Sequence, residues 1–444
     1  MKKIYYQCRF TQTAPLRLTS GEDDHTDSDL LLDGNGYPFI PGSALAGVLR
    51  SMLVDVKKEV VDTLFGIIEE KKNIIKESRL QVSDAVLYGD NRSKEQPNGI
   101  RLFDISARHG VRIDEDTGTA KNGAKFDYEV VEIISGHYTA VLELDVTNET
   151  ADVTLVDTVR KLMGRIVANG ISFGARTTRG YGSMSAKVFR REFNLNPDST
   201  DRETWLAFDP FDEAGFGGEV VDRLPVANDA TDLDIRAKLQ MEGSFTVRVH
   251  STDPEGPDSY PLKQANLEDG NADGDKKGKP VIPGTSWAGV FRHHMRSLAR
   301  QAGLNDSVCK AVDELFGKID DGNPKRSRII FHEMAISEGK EMTVVRNALD
   351  RFTMAPRDKA LFTVAVWQGG TGELRIQVRD GLEEPLCSLL YAALADLHFG
   401  LLTVGGEGSV GRGRASIESL TINGEEWRVT EENGLMPAER GTKA

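Results

Sequence analysis

The chain has 444 residues, 39% of them hydrophobic, and a formal net charge of -14 at pH 7. That length exceeds one typical core and predicts two or more domains, while the acidic balance excludes a protein that coats nucleic acid by bulk charge alone. No apolar run is long enough to span a bilayer, "MKKIYYQCRFTQ" lacks the apolar stretch of a signal peptide, and Cys8, Cys309 and Cys387 are too scattered for a zinc site or a disulfide framework. The expectation is a protein of the reducing cytoplasm, away from membranes.

In chain order, "IYYQCRF" from Ile4 reads as a first strand, followed by an acidic loop, "GEDDHTDSDLLLDGNGYPFIPG". "PFIPGSALAGVLRSML" then runs from Pro38 to Leu53. Its proline fixes a turn, its glycine permits close backbone approach, and Ser43 is placed to cap a helix whose first N–H groups can hold a phosphate. Arg50 lies two turns on. "SRLQVSDAVL" from Ser78 reads as a second strand, and an irregular insertion follows. In "YTAVLELDV", Tyr138, Ala140, Leu142 and Leu144 alternate as in a half-buried strand, whereas Val159, Leu162, Met163, Ile166 and Val167 recur at helical spacing. The half closes on "GARTTRGYG" from Gly174, a helix-to-strand glycine loop carrying Arg176, Arg179 and Gly180.

The same landmarks then recur in the same order. "PVIPGTSWAGVFRHHM" from Pro280 repeats the proline-glycine helix with Thr285 and Arg292, "LFG" follows both helices, and "SRIIFHEMAI" matches the second strand. "ELRIQVR" alternates at Leu374, Ile376 and Val378; Leu386, Leu389, Leu390, Ala393, Leu394 and Leu397 form a helix stripe; and "GGEGSVGRGR" from Gly405 matches the glycine loop. Such ordered self-similarity means two copies of one domain. The boundaries fall at 1–190 for the first and 231–444 for the second, with 191–230 a linker rich in Pro, Gly and acid. Each half has strand, helix, strand, strand, helix, strand order, so the expected class is α+β: two tandem ferredoxin-like (RRM-like, βαββαβ) domains, each with an insertion.

Gly406, Gly408 and Gly411 spell the dinucleotide pattern, but their loop follows a helix and precedes a strand, the reverse of that fingerprint. Arg176, Arg179, Arg412 and Arg414 on such loops suit a phosphodiester backbone gripped without base reading. Taken singly, each of these arginines also reads as a solvated surface residue.

"IPGSALAGVLR" with the late "GARTTRGYG" resembles the RAMP superfamily of CRISPR-associated RNA-binding proteins, in particular the backbone subunit of type III effector complexes. The resemblance covers both halves, as in a type III-D-like tandem fusion. It departs at Ala46 and Ala288, where the family often carries a lysine. The resemblance implies partners: a CRISPR guide RNA, a complementary target RNA and other effector subunits. It also implies that the insertions "ARHGVRIDEDTGTAKNGAKFDYEVV" and "VVRNALDRFTMAPRDKALFTVAV" act as thumbs, with Phe126, Phe352 and Met354 either wedging between bases or packing a hairpin.

The family cuts target RNA through a loop aspartate before the proline-glycine turn, with Mg²⁺ or Mn²⁺. The matching residue here is Asp27 of Asp27-Ser28; Asp33 in "DGNG" reads as a turn former. An offset of 231 residues, which carries Ile4 onto Ile235, carries Asp27 onto Asp258, also followed by serine. Attack of the RNA 2′-OH on its own phosphate needs in-line positioning and either a metal-binding carboxylate or a base. The spacing leaves both roles open. His25 and His250 flank these loops. A scaffold with inert aspartates and a stand-alone guide-processing ribonuclease remain alternatives.

Overall fold

The computed structural model describes residues 1–21, 29–69, 74–88, 103–113, 120–133, 136–148, 150–222, 232–251, 255–264, 278–320, 323–432 and 434–438. It divides into two compact units. The first comprises Met1–Gly110, Phe126–Thr177 and Tyr181–Ala227; the second comprises Val111–Lys125, Thr178–Gly180 and Asn228–Ala444.

The first unit contains β1 (Lys2–Gln12), α1 (Gly42–Ser51), α2 (Lys58–Phe65), β2 (Leu80–Val82), most of β3 (Phe103–Ile113) and the latter part of β4 (Ala120–Ile133), whose remaining residues count with the second unit, β5 (His137–Val146), α3 (Val153–Asn169) and β6 (Ser183–Asn194). The central strands lie antiparallel in the order β6-β1-β5-β2. In fold positions that is four-one-three-two, the ferredoxin-like order. Alternation in β1 turns Ile4, Tyr6, Cys8 and Phe10 onto the helices, where Leu45 and Leu49 of α1 and Val159, Leu162, Met163 and Ile166 of α3 close the core. Burial pushes the Cys8 thiol up to about 12, which keeps it inert.

The expected linker is not a loose tether in its described part. A short helix, Asp201–Leu206, and the residues after it cover the outer face of the sheet: Trp205, Phe208 and Phe211 pack with buried Tyr5, Phe193 and Phe216. The Trp205 indole N–H donates to the Tyr5 hydroxyl at 2.9 Å. Aromatic residues in an otherwise acidic, aperiodic stretch supply the apolar area that makes this layer stick.

The second unit contains β7 (Leu233–Glu242), β8 (Arg248–His250), β9 (Ser259–Pro261), α4 (Gly284–Gln301), α5 (Asp306–Leu315), β10 (Ile329–Phe331), β11 (Lys340–Leu349), β12 (Pro356–Gln368), β13 (Thr371–Val378), α6 (Leu386–His398), β14 (Arg414–Ile422) and β15 (Glu425–Thr430). Its sheet runs β10-β13-β7-β14-β15 and ends on the short strand Gly434–Pro437, the same antiparallel core with two added strands. Trp287, Phe291, Met295 and Ala299, each four residues apart on α4, are fully buried against Phe331 and the α6 stripe. Both insertions are β-hairpins, β3–β4 in sequence and β11–β12, the latter with its own register from Lys340–Gln368 inward. Among the described residues no helix is long and apolar enough to cross a membrane.

Candidate nucleic-acid interface

The proline-glycine helices are built alike, but their starts are occupied by the protein itself. A Cβ on Gly42 would sit 2.5 Å from the Val82 carbonyl oxygen, and one on Gly284 would sit 2.1 Å from that of Phe331. In each unit the glycine lets the helix start press on the end of the second strand. The Gly42 N–H donates to Asp84 Oδ1 at 2.7 Å, so a carboxylate already takes the first amide of α1. Neither Ser43, which is exposed, nor Thr285 caps its helix; the N-cap positions are Pro41 and Pro283. Serine and threonine stand two residues past the cap position, inside the helix, and make no side-chain cap.

Arg50 and Arg292 also turn to the chain. Arg50 donates to Asp62 at 2.8 Å and Arg292 to Asp313 at 2.8 Å, each tying its helix to the one that follows. Arg296 shares the same Asp313 oxygen at 3.3 Å. The repeated arginine therefore serves the packing of a helix pair, a requirement that repeats as faithfully as any ligand contact.

The glycine loops form a second repeated frame. Phe173 N–H donates to the Gly182 carbonyl at 3.0 Å, and Val404 N–H to the Gly413 carbonyl at 2.9 Å. Gly174 has φ +80, and a Cβ there would lie 2.1 Å from the Arg17 carbonyl oxygen; Gly405 has φ +91 and would meet that of Thr246 at 2.5 Å. Gly180, assigned to the second unit, is buried, and its Cβ would lie 2.6 Å from the Phe331 carbonyl oxygen. Gly408 faces Thr403 Oγ1 at 2.5 Å from a would-be Cβ, Gly406 faces the Arg248 side chain, and Gly411 has open space but φ +86. These glycines shape the loop before they meet any ligand.

What the loops present differs between the units. In the first, Arg176 lies over the rings of Phe126 at 4.6 Å and Tyr128 at 4.3 Å, and Arg17 lies over Tyr128 at 4.8 Å. Tyr128 and Tyr181 share a hydroxyl contact at 2.9 Å. Behind them the ion pair Arg108–Glu132, at 2.5 Å, is buried. Burial lowers the Arg17 pKa first, and the neighbouring Arg176 charge lowers it further. Arg179 is exposed. Phe126 thus belongs to an aromatic platform under Arg176.

In the second unit Arg412 points inward and is 8% exposed. Its Nη1 donates to Ser244 Oγ at 2.7 Å, and its Nε lies 2.6 Å from Glu407 Oε2, off the N–H direction, as an ion contact rather than an aligned hydrogen bond. Arg346 of β11 also pairs with Glu407, and Arg248 of β8 lies 3.6 Å from it. Burial pushes the Glu407 carboxyl up, but Arg346, Arg412 and Arg248 outweigh it and hold the group below the usual carboxylate range. The sequence reading placed Arg412 on an RNA backbone; in the structure its side chain is held by Ser244 and Glu407.

Asp27 lies outside the described residues, in the segment between the paired strands Thr19–Gly21 and Asp29–Leu30. Asp33 forms the expected turn, accepting from the Asn35 and Tyr37 N–H groups at 2.8 and 2.9 Å. Asp258 stands at the base of the second hairpin. Its Oδ2 accepts from the Thr363 N–H at 2.7 Å, and its own N–H donates to the Thr363 carbonyl at 2.7 Å. His250 is next to it across the β8–β9 ladder, opposite Ser259. At the hairpin turn Phe352 is 89% and Met354 72% exposed.

Arg17, Tyr128, Arg248, Arg346 and Glu407 escaped the motif reading. The signal for one of them was present, since the offset that carries Asp27 onto Asp258 also carries Arg176 onto Glu407.

The model of the RAMP superfamily matches residues 10–185 and 216–416, which is most of both units. No curated protein matches the chain.

Proposed function

The chain belongs to the RAMP superfamily of CRISPR-associated RNA-binding proteins, and from that premise we propose that it is a tandem backbone subunit of a type III effector complex. It holds guide RNA with both units and cuts complementary target RNA at two positions, one per unit. The observation that carries this reading is the repeated junction of glycine loop, hairpin base and post-strand arginine: Arg17, Arg176 and Tyr128 in one unit, Arg248, Arg346 and Glu407 in the other. Phosphate contacts of this kind position RNA without reading its sequence.

The chemistry follows from the hairpin. Exposed Phe352 and Met354 at its tip are apolar wedges that splay a paired strand, and Asp258 at its base faces the same strand β12. A splayed nucleotide brings its 2′-OH into line with the adjacent phosphate, and positioning supplies much of the acceleration. Thr363 fixes one Asp258 oxygen, which leaves the other to meet the reacting group. Among the described residues no cluster of three carboxylate, histidine or cysteine side chains could hold a metal. A single carboxylate fits Mg²⁺, which binds through one or two carboxylates with substrate phosphates and water. When bound beside the phosphate, Mg²⁺ or Mn²⁺ neutralises developing charge there.

In the assembled complex, Asp27→Ala removes one cut in end-labelled target RNA, Asp258→Ala removes the other, and the double variant binds target without cutting. A double variant that gives the wild-type ladder, or cutting that persists in EDTA, overturns the assignment.

A further inference from the structure

The two glycine loops are one backbone frame carrying opposite charges. The offset of 231 residues carries Gly174 onto Gly405, Arg176 onto Glu407 and Gly182 onto Gly413, while the strand end beside each loop is shifted by two residues: Gly174 approaches the Arg17 carbonyl and Gly405 that of Thr246, and the Gly182 and Gly413 N–H groups donate to the Pro15 and Ser244 carbonyls. The close approaches repeat with it: a Cβ on Gly182 would lie 1.8 Å from the Phe173 carbonyl oxygen, and one on Gly413 2.0 Å from that of Val404. At the exchanged position both residues are left-handed, with φ 60 at Arg176 and φ 64 at Glu407. Since few side chains adopt that conformation cheaply, the shared strain marks equivalent places in a shared frame.

With the backbone matched, the side chain at that position is the difference. In the first unit two guanidinium groups converge on the Tyr128 ring, and Arg176 makes no ion pair with the described residues. Like charges held together on an aromatic face favour an anion of fixed geometry between them. In the second unit a carboxylate stands where Arg176 stands in the first, and Arg248, Arg346 and Arg412 all converge on it. Glu407 is about 9% exposed, so its charge is held among those arginines rather than in solvent.

We infer that the two units grip RNA unequally: Arg17 and Arg176 bind a phosphate of the RNA backbone directly, whereas Glu407 is an internal anion that occupies the corresponding place in the second unit. RNA reaches Arg248 and Arg346 only by displacing that carboxylate. The first unit is the tighter, salt-sensitive hold and the second a weaker one that engages after it. The inference rests on the proposed RNA-binding function and adds an order to it.

The test is fluorescence anisotropy of the full chain with a short labelled oligouridine across a potassium chloride series. Arg17→Gln and Arg176→Gln each lower affinity about tenfold and the salt slope by about one. Arg248→Gln costs less than about twofold, because Glu407 already neutralises that arginine. Glu407→Gln raises affinity and steepens the slope, and in that background Arg248→Gln becomes costly. Arg176→Glu copies the second unit's arrangement into the first and loses the grip altogether, which keeps the test open should Glu407→Gln melt the loop. Equal losses from Arg176→Gln and Arg248→Gln, or a slope unmoved by both Glu407→Gln and Arg176→Glu, overturn the asymmetry while RNA binding stands. A wild-type chain that binds no RNA at any salt overturns the function and the asymmetry together.

Discussion

Replacing Glu407 by alanine leaves the buried Arg412 guanidinium without its carboxylate partner among the described residues. Both side chains of the pair are 9% exposed, and the contact is 2.6 Å. Unit charges about 4 Å apart attract by about 4 kcal/mol at an effective dielectric of about 20, and removing one partner of a buried pair costs about 3–5 kcal/mol. Two features set the low end. The Arg412 Nε–Glu407 contact is off-axis, and Ser244 Oγ still accepts from Nη1 at 2.7 Å. Taking about 3 kcal/mol, a unit of this size loses about 6–12 °C in melting temperature. Differential scanning calorimetry of the full chain reads this as a shift of one transition only, that of the second unit. The double variant Glu407→Ala/Arg412→Met regains most of the loss, because an apolar pair replaces an ion pair at little net cost. A shift of less than about 2 °C for Glu407→Ala, or a double variant as unstable as the single, refutes the claim that a buried ion contact holds this loop.

Arg50→Met and Arg292→Met are expected to lower stability by about 1 kcal/mol or less, as partly exposed ion pairs do, and to leave the salt slope of RNA binding unchanged; a slope reduced by about one unit would place those arginines on phosphate instead. His332 supplies a pH test. Its half-buried ring lies in hydrogen-bond contact with Gln377 Oε1 at 2.8 Å, and desolvation, against Gln377 and Asp234, lowers its pKa below the ordinary histidine value. The unfolded chain therefore takes the proton first, so His332 contributes stability that is full above about pH 6.5 and falls as pH drops through its lower folded value. Urea midpoints at neutral and mildly acid pH show a smaller decline in His332→Asn than in the wild type; an unchanged decline assigns the slope elsewhere.

Much of the fold was legible because it depends on local periodicity. Tyr138, Ala140, Leu142 and Leu144 alternate into the core, and Leu389, Leu390, Ala393, Leu394 and Leu397 bury one face of a helix, as their spacing requires. The site was legible as a set of segments but not as a set of contacts. Arg50, Arg292 and Arg412 read as surface cations because charge is costly to bury alone. Their partners Asp62, Asp313 and Glu407 come from separate positions in the chain, and only folding brings them to 2.6–2.8 Å. The same holds for the linker, whose aromatic residues have no period and become a packed layer only against Tyr5 and Phe193.

The sequence by itself determined the duplication, the ferredoxin-like order of each unit and the places where the backbone must be glycine, since repeats, hydrophobic period and steric limits are all written along the chain. Tertiary structure decided which charges are paired inside the protein and which stay open to a ligand. That depends on the neighbours of each side chain in space, as the exchange of Arg176 for Glu407 within one conserved loop geometry makes plain.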